Sequence, residues 1–385
     1  MFADERGVLH ALKNLPYYPK EILISKSHKN VLRGLHQSPY AKYLYVAKGS
    51  IKDFFWSDGK PTVKVLHTGD TILVPAGSPH AFITLEDDNE VVYILDGKFD
   101  QNLDKNIYWK DPAFGFDSLL GVDESKLIIS EKDRSSNYSK QYDYIVLGAS
   151  GFLGKNCVKF LRAQGRTVLE SSARLENPSE IRDQIRRSGA RFAICAAGIS
   201  GRPTTAWCDE HETETYQVNY LGVLNLMEVC RDTGVHLTIF GSGLVYDGSN
   251  SIAYTEEDVP NLGNRVYSKW RIQLEKVLQS NVLYLRILYP CTLDGDPKCF
   301  FTKMAGRRDS VHDISTSLTI VPDLFPKLPQ MIENGVSGIF NFVNKGKIHL
   351  KDLVQAEKTT PGSGGFELST EKLQTLFDVP CIRRV

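Results

Sequence analysis

The stretch Tyr144-Ile-Val-Leu-Gly-Ala-Ser-Gly-Phe-Leu-Gly154 places an apolar run directly before three glycines in the spacing GxxGxxG. The apolar run predicts a buried strand, and an amphipathic helix is predicted from Gly154 to Gln164. Gly148 permits the tight turn, Gly151 lets backbone amides approach a pyrophosphate, and Gly154 lets the helix pack closely on the strand. The stretch therefore predicts a strand, turn and helix that bind a dinucleotide.

Strands and helices alternate after this turn. Further strands are predicted at Thr167–Leu169, Phe192–Cys195, Leu237–Phe240 and Leu283–Ile287, with helices at Thr213–Thr233 and Tyr267–Leu278. This alternation is typical of an α/β domain with a doubly wound parallel sheet of the Rossmann type. We expect that domain to span residues 143–385.

Upstream of the turn the pattern is different. Between Asn30 and Asp96, short β-type runs alternate with clusters of Gly, Asp and Pro, and no helical period separates them. Strands spaced this closely predict an all-β sandwich or barrel, here a small barrel over residues 1–135. The polar, helix-poor stretch Glu131–Gln141 then predicts a linker, which we place at residues 136–142.

Composition limits the function classes. Lys plus Arg and Asp plus Glu both total 46 in 385 residues, so no net charge recruits nucleic acid or an anionic membrane. No apolar run approaches the ~20 residues that span a bilayer, and no signal peptide is visible at the start. Seven cysteines without a CxxC pair favour reduced, structural thiols. We expect a soluble cytoplasmic protein that binds neither nucleic acid nor membrane.

The end of the second α/β strand bears on the choice of dinucleotide. Glu170 is the type of residue that accepts the ribose hydroxyls of NAD, whereas Ser171, Ser172 and Arg174 suit the 2′-phosphate of NADP. The sequence favours NADP(H), with Arg174 contacting the phosphate, and leaves NAD(H) as the alternative.

Ser242 at a strand end, Tyr267 at a helix start and a cation one turn later suggest a unit that delivers a proton to a carbonyl. In this respect the domain resembles the extended short-chain dehydrogenase/reductases. Within them it is similar to the plant and viral epimerase/reductases that complete nucleotide-linked L-rhamnose. The resemblance covers residues 143–354 and, more weakly, 367–376. It is carried by Ala196-Ala-Gly-Ile-Ser-Gly-Arg-Pro203, Trp207-Cys208, Asn219, Thr255-Glu-Glu-Asp258 and Tyr267-Ser-Lys269.

The resemblance implies roles for several residues. The cofactor would contact the turn (Gly148, Ser150, Gly151, Phe152, Leu153, Gly154), the segment Ala196, Ala197 and Gly198, and the pair Tyr267 and Arg271. Arg202 and Asn219 would bind the substrate. One position departs from the pattern, because these enzymes usually carry lysine four residues after the tyrosine and this chain carries Arg271, with Lys269 facing elsewhere on the helix. Either the arginine supplies the positive charge, as we expect, or hydride transfer is impaired.

The barrel resembles the dTDP-4-dehydrorhamnose 3,5-epimerase family, whose fold is a cupin jelly roll, over residues 25–133. The matching elements are Arg33-Gly-Leu-His36, Lys42, Asp53, Pro75-Ala-Gly with His80, Tyr93, Trp109-Lys-Asp-Pro112 and Ser130-Glu-Lys-Asp133. The resemblance implies that His36 is a general base oriented by Asp133, that Lys42 stabilises an enolate and that Tyr93 returns a proton from the opposite face. Arg33 and His80 would bind substrate. A metal site is not expected, because the barrel offers no HxH pair.

An epimerase that needs a ketone, fused to a reductase that removes it, predicts consecutive steps on one sugar. We expect a bifunctional 3,5-epimerase and NAD(P)H-dependent 4-ketoreductase acting on a UDP- or dTDP-linked 4-keto-6-deoxyhexose. The substituent on carbon 2 stays open, and a 2-acetamido sugar is an option. Two other readings compete with this one: a plain reductase whose barrel only binds sugar or dimerises, and a dinucleotide sensor without catalysis. Both resemblances predict a homodimer.

Overall fold

The chain folds into two compact units, residues 1–140 and 141–385. We call them the N-terminal and the C-terminal unit. The computed structural model describes residues 2–4, 7–9, 12, 14–100, 102–201, 204–292, 294–299, 302, 311–354, 359–360 and 365–382.

The N-terminal unit consists mainly of strands. In chain order its elements are β1 Phe2–Asp4, β2 Gly7–Leu9, β3 Glu21–Ser27, β4 Val31–Gln37, β5 Lys42–Lys48, β6 Ser50–Ser57, β7 Lys60–His67, β8 Thr71–Val74, β9 Pro79–Thr84, β10 Asn89–Leu95, β11 Lys105–Asn106, α1 Phe116–Leu120, β12 Ile128–Ile129 and α2 Glu131–Arg134.

Two larger, mainly antiparallel sheets form the body of this unit, and β1 and β2 pair as a separate two-stranded sheet. One has the strand order β3-β10-β5-β8, and the other has β11-β4-β9-β6-β7 with the short β12 added parallel to β4. Leu44 and Val91 from the first sheet and Ile51 and Phe82 from the second belong to one buried cluster, so the sheets pack face to face. The predicted all-β cupin-like fold is confirmed.

The polar stretch after β12 differs from its expectation, because it contains the helix α2. The side chain of Ser130 accepts a hydrogen bond from the backbone amide of Asp133 and caps the helix N-terminus. Such a cap stabilises a single turn that is too short to show a helical period in the sequence.

The C-terminal unit alternates strands and helices. Its main elements are β13 Tyr144–Leu147, α3 Phe152–Ala163, β14 Val168–Ser171, α4 Pro178–Ser188, β15 Phe192–Cys195, α5 Trp207–Glu210, α6 Glu212–Tyr216, α7 Gly222–Thr233, β16 His236–Phe240, α8 Val266–Glu275 and β17 Val282–Arg286. Short elements follow: β18 Val311–His312, β19 Ser315–Thr316, α9 Val321–Leu324, α10 Leu328–Glu333, β20 Gly338–Asn341, β21 Ile348–His349, α11 Leu350–Val354, β22 Thr359–Thr360 and α12 Glu371–Gln374.

One parallel sheet with the order β14-β13-β15-β16-β17-β20 organises this unit. The order reverses direction at β13, as in a doubly wound fold, and the carboxyl ends of the strands meet at one edge. The strands are buried on both faces, and Leu283 and Leu285 pack with Leu161 of α3 on one of them. The predicted Rossmann-type parallel sheet is confirmed.

Two candidate active sites

A cavity of about 620 Å³ lies in the N-terminal unit between its two sheets. Both sheets and the segment β12–α2 contribute to its lining. The polar side chains among the lining residues are Ser25, Arg33, His36, Tyr40, Lys42, Tyr93, Asp104, Ser130, Lys132 and Asp133. The cavity therefore brings together five predicted residues: Arg33, His36, Lys42, Tyr93 and Asp133.

A bulge in β4 aims two of these side chains into the cavity. The register of β4 against β9 shifts by one residue between Arg33 and His36. Three residues apart in a regular strand, their side chains would point to opposite faces, and the extra residue puts both on the same face. Gly34 makes this possible, because its φ is +122° and a Cβ there would lie 2.8 Å from the Cα of Ala81.

His36 and Asp133 form a hydrogen-bonded pair. The Nε2 atom of His36 lies 2.7 Å from Oδ1 of Asp133. Burial by itself would raise the pKa of Asp133, but the hydrogen bond and charge of His36, with help from Ser130 and the amide of Gly34, hold that pKa below its ordinary value. Asp133 is therefore an anion that can orient the imidazole and stabilise its protonated form.

Lys42 and Tyr93 come from the sheet opposite His36. Burial lowers the pKa of Lys42, while the carboxylates of Asp104 and Asp53 act in the other direction. Burial raises the pKa of Tyr93 to about 12, so its phenol keeps its proton at neutral pH. The cavity thus has a potential base on one wall and a protonated phenol on the other.

The two predicted substrate-binding residues of the barrel differ in position. Arg33 lines the cavity, and its Nε donates to Oγ of Ser27 over 3.1 Å. His80 is only 4% exposed, lies outside the cavity lining and pairs with the fully buried Asp53 over 2.7 Å. His80 is the register partner of His36 on β9, so the two imidazoles lie side by side on the same face of the sheet.

Sequence reasoning missed two polar groups of the cavity. The hydroxyl of Tyr40 donates to Oδ1 of Asp104 over 3.0 Å, and the Nζ atom of Lys42 lies 5.9 Å from the Tyr40 ring centroid. Burial raises the pKa of Tyr40 to about 12. Asp104 lies outside every matched motif, and only its place beside Lys42 in the fold could have identified it.

In the C-terminal unit the glycine-rich turn joins β13 to α3. Gly148 has φ +78°, and a Cβ there would lie 2.5 Å from the backbone nitrogen of Ala197. A Cβ on Gly154 would meet the backbone of Gly148 and Ala149. The turn is therefore pressed against the segment after β15, which brings two groups of predicted cofactor residues together. Of the others, Ser150 is exposed, while Phe152 and Leu153 are half-buried against the core.

Tyr267 and Arg271 lie on consecutive turns of α8. The Cζ atom of Arg271 is 5.6 Å from the centroid of the Tyr267 ring. Burial would lower the pKa of Arg271, but a hydrogen bond and the negative field of nearby phenols and a thiol raise it. The guanidinium therefore places a permanent positive charge beside Tyr267.

Ser268 connects this pair to Ser242. The buried hydroxyl of Ser268 donates to the carbonyl oxygen of Leu244 over 2.7 Å, and the amide of Leu244 donates to Oγ of Ser242 over 3.1 Å. No role was predicted for Ser268, although it lies inside the matched motif. These two bonds fix the loop that carries Ser242 against the helix that carries Tyr267.

Asp209 is far from α8 in the sequence but holds the start of that helix. Its Oδ1 accepts from the backbone amide of Val266 over 3.0 Å, and its Oδ2 lies 2.9 Å from Arg265. No side chain of the helix itself caps that end. Lys269 faces away from the site, as expected, because its Nζ lies 2.7 Å from Oε1 of Glu212.

The two predicted substrate residues of this unit are Asn219 and Arg202. Asn219 is fully buried in a π-helical turn, Gln217–Leu221, which joins α6 to α7. Its Oδ1 accepts from the amide of Ile199 and its Nδ2 donates to the carbonyl of Ile199. Asn219 therefore holds the loop after β15, and its contact with substrate stays a prediction. Arg202 lies outside the described residues.

The residues at the end of β14 differ in their contacts and exposure. The carboxylate of Glu170 lies 2.8 Å from Nη1 of Arg162 on α3. The hydroxyl of Ser171 donates to Oε1 of Gln184 over 2.7 Å. Ser172 and Arg174 are exposed beyond the strand end.

These features fit a nicotinamide dinucleotide. The close contacts at Gly148 and Gly154 are those of a turn that brings backbone amides and a helix N-terminus to a pyrophosphate. Nε and Nη1 of Arg271 are buried and have no hydrogen-bond partner among the described residues. Buried donors of this kind need an acceptor, and ribose hydroxyls would supply one.

The described part of the chain lacks two features. It contains no cluster of three or more His, Cys, Asp or Glu side chains arranged to hold a metal ion. None of its helices has the length and apolar character needed to cross a membrane.

Comparison with known families assigns a family to each unit. The model of the dTDP-4-dehydrorhamnose 3,5-epimerase family matches residues 2–141. The model of the NAD dependent epimerase/dehydratase family matches residues 144–286.

Individual relatives agree with both matches. The chain is 32% identical over 232 residues to a bifunctional dTDP-4-dehydrorhamnose 3,5-epimerase/dTDP-4-dehydrorhamnose reductase of Arabidopsis thaliana, covering 58% of this chain and 77% of that protein. It is 32% identical to a dTDP-4-dehydrorhamnose 3,5-epimerase of Methanothermobacter thermautotrophicus, covering 35% of this chain and 83% of that one. The crystal structure of the L780 UDP-rhamnose synthase from Acanthamoeba polyphaga mimivirus superimposes with a TM-score of 0.57 at 26% identity, covering 63% of this chain and 96% of that one.

Proposed function

The chain belongs to the dTDP-4-dehydrorhamnose 3,5-epimerase family in its N-terminal unit and to the NAD-dependent epimerase/dehydratases in its C-terminal unit, and we propose that it performs two consecutive steps on one nucleotide sugar. It is an epimerase and an NAD(P)-dependent oxidoreductase of nucleotide-linked rhamnose synthesis. The proposed substrate is a 4-keto-6-deoxyhexose. The first step inverts carbons 3 and 5, and the second reduces the ketone at carbon 4.

The observation that carries the epimerase step is the placement of His36 and Tyr93 on opposite walls of one cavity. A ketone at carbon 4 acidifies the protons on carbons 3 and 5. His36, held by Asp133, takes such a proton, and the charge of Lys42 stabilises the enolate oxygen. The protonated phenol of Tyr93 then returns a proton from the opposite face, which inverts the carbon.

Arg33 is suited to the substrate diphosphate. Its guanidinium borders the cavity and offers paired donors that match phosphate oxygens. The exposed Lys132 lies on the same rim and adds a second positive charge.

The reduction step belongs to the C-terminal unit. When bound, the nicotinamide dinucleotide supplies the hydride for carbon 4. Tyr267 donates a proton to the carbonyl oxygen, Ser242 orients that oxygen, and Arg271 keeps a positive charge beside the phenol. The removal of the ketone ends the acidity of carbons 3 and 5, so reduction makes the inversion irreversible.

NADP(H) is the cofactor that the surroundings of β14 favour. Arg162 neutralises Glu170, the residue that would otherwise accept ribose hydroxyls and repel a 2′-phosphate. Ser172 and Arg174 are exposed at the strand end, where that phosphate would lie. These contacts support a preference for NADP(H) over NAD(H). The substrate panel below compares the two cofactors.

The nucleotide and the sugar are finer parts of the proposal. We favour UDP, because the mimivirus structure that covers 63% of this chain is a UDP-rhamnose synthase. The named Arabidopsis relative acts on a dTDP sugar, so dTDP is the alternative. On carbon 2 both a hydroxyl and an acetamido group are to be tested.

A homodimer completes the proposal. Strand β3 is at the edge of its sheet, and Ile22 and Ile24 on it are 57% and 63% exposed. A second copy that pairs with this edge would cover both side chains. Sedimentation of the wild type and of Ile22→Lys should give a dimer and a monomer, and a monomeric wild type would contradict this part.

A substrate panel tests the function. UDP- and dTDP-linked 4-keto-6-deoxyglucose and the UDP-linked 2-acetamido analogue are each incubated with NADH or NADPH, and the products are assigned by NMR. We expect inverted carbons 3 and 5 and a hydroxyl at carbon 4, made with NADPH. Configuration retained in every product would overturn the epimerase step, and an unconsumed cofactor in every reaction would overturn the reductase step.

A further inference from the structure

Three buried polar atoms close to the reductase site share one property. Nε and Nη1 of Arg271 and the hydroxyl of Tyr284 have no hydrogen-bond partner within the described ranges. Arg271 is 5% exposed and Tyr284 is fully buried. Polar atoms removed from water cost free energy unless they find partners, so each of the three needs one.

The sheet places Tyr284 on the face that Arg271 covers. Cys195, Ile239 and Tyr284 are register partners on β15, β16 and β17, so their side chains share one face of the parallel sheet. Arg271 interacts electrostatically with both Cys195 and Tyr284. A guanidinium with unpartnered donors and a phenol with an unpartnered oxygen therefore lie over the same patch of the sheet.

Two glycines make room for this arrangement. A Cβ on Gly198 would lie 2.8 Å from Nη2 of Arg271, so a side chain there would displace the guanidinium from its present position. A Cβ on Gly241 would lie 2.6 Å from the Tyr284 hydroxyl oxygen. The phenol thus lies against the backbone that leads directly to Ser242.

The donors of Arg271 need acceptors in fixed directions. Nε and Nη1 carry three N–H groups between them, and neither nitrogen has a partner within the described ranges. A lysine in this position would have three donors that rotate freely, but the donors of arginine are fixed in a planar fork. Each of these buried N–H groups therefore requires an acceptor in the direction that the fork allows.

We propose that Tyr284 is the anchor that lets arginine act at a position where the related reductases use lysine, its hydroxyl accepting a hydrogen bond from Arg271 through one bridging water. A single water satisfies polar atoms that are close but not in direct contact. Tyr284 touches neither substrate nor cofactor and is a positioning residue. The inference rests on the proposed reductase role of Arg271.

A double-mutant cycle tests the anchor. Tyr284→Phe, Arg271→Lys and the double variant are compared with the wild type by melting temperature, by the NADPH dissociation constant and by kcat/KM for ketone reduction. In the arginine background we expect Tyr284→Phe to lower kcat/KM about tenfold, to weaken NADPH binding and to lower the melting temperature. In the lysine background the same substitution should change kcat/KM and the NADPH dissociation constant by less than about twofold. It should not shift the melting temperature measurably.

Tyr246→Phe is the matched control. Tyr246 is also fully buried, and its hydroxyl accepts from Nη1 of Arg286 over 2.8 Å, so the variant removes the same kind of contact elsewhere in the unit. It should lower the melting temperature equally in the arginine and lysine backgrounds at position 271. Equal effects of Tyr284→Phe in both backgrounds would overturn the proposal.

The three measurements separate failure of the anchor from failure of the function. A Tyr284→Phe variant with an unchanged or higher melting temperature contradicts the anchor, because a phenol without a partner costs nothing to remove. If Arg271→Lys does not turn over, the binding and melting data still give the coupling. A wild type that reduces no keto sugar contradicts the proposed function, while the melting data still decide on the anchor.

Discussion

His36 and Asp133, the proposed base and its orienting carboxylate, show how the surroundings of a side chain set its charge. The carboxylate is buried, yet its pKa is below the ordinary value because it accepts from an imidazole, a hydroxyl and an amide. A folded-state pKa below the unfolded value means that this stabilisation is complete above the ordinary carboxylate pKa of about 3.9 and is lost as the pH falls through the folded-state pKa.

The Asp133→Asn variant tests this pair. At neutral pH we expect it to be less stable by about 1.5–3 kcal/mol, the range for hydrogen bonds to charged groups. Exchange of the carbon 3 and 5 protons should slow by about 10²–10⁴-fold. The difference in melting temperature should shrink below about pH 4, where the wild-type carboxylate takes up a proton. The control is Glu131→Gln, an exposed carboxylate on the same helix, and a stability difference independent of pH would contradict the expectation.

Arg162 is a residue through which cofactor choice can be tested. Arg162 forms an ion pair with the carboxylate of Glu170. In Arg162→Ala the negative charge of Glu170 would no longer be balanced, so it should repel the 2′-phosphate of NADPH. We expect kcat/KM for NADPH to fall about two- to fivefold relative to that for NADH, a size typical of an exposed ion pair. Arg182→Ala, which removes another exposed pair in the same unit, should leave the ratio unchanged. The same ratio in both variants would show that Glu170 does not select the cofactor.

Strand β4 shows how the local shape of one element can aim a site residue. Gly34 combines positive φ with close contacts to β9, whereas Gly77 has φ +76° and open space around it. Both Gly→Ala variants carry the strain of positive φ, on the order of 1–3 kcal/mol. Only Gly34→Ala adds a clash, so it should be clearly less stable than Gly77→Ala and should lose epimerisation. Equal stability and activity of the two variants would mean that the bulge does not aim His36.

The regular strands and helices could be predicted from the sequence because their patterns of apolar residues extend over enough positions to be recognised. Strands β5–β10 lie in the region Asn30–Asp96 for which closely spaced β-type runs were predicted, and the parallel sheet follows the predicted alternation. The bulge in β4 could not be predicted, because alternation does not reveal one extra residue. The π-helical turn at Asn219 was missed for the same reason, and the hydrogen bond of its side chain to the loop after β15 could not be predicted either.

Contacts between residues far apart in sequence were also beyond prediction. Asp209 caps α8 and Tyr284 lies on the face that Arg271 covers, and both relations depend on how strands and helices meet in the fold. Conversely, the resemblance to the epimerase family already predicted that four residues share one site, and all four line the cavity: His36, Lys42, Tyr93 and Asp133.

At the scale of the whole molecule, two units divide one chemical task. Each has its own core and its own set of site residues, so variants in one should leave the chemistry of the other intact. We expect Tyr267→Phe to lower ketone reduction by about 10²–10⁴-fold and to leave proton exchange at carbons 3 and 5 at the wild-type rate. His36→Asn should do the reverse when the keto sugar already inverted at carbons 3 and 5 is supplied for the reduction assay. Loss of both reactions in a folded single variant would contradict the division of labour.

The most direct test of two consecutive steps is one reaction in deuterium oxide. UDP-4-keto-6-deoxyglucose and NADPH are added to the wild-type protein, and the product is examined by NMR. We predict a rhamnose-type product with inverted carbons 3 and 5, each carrying deuterium, and with carbon 4 reduced. A reduced product with protium and retained configuration at both carbons would contradict it.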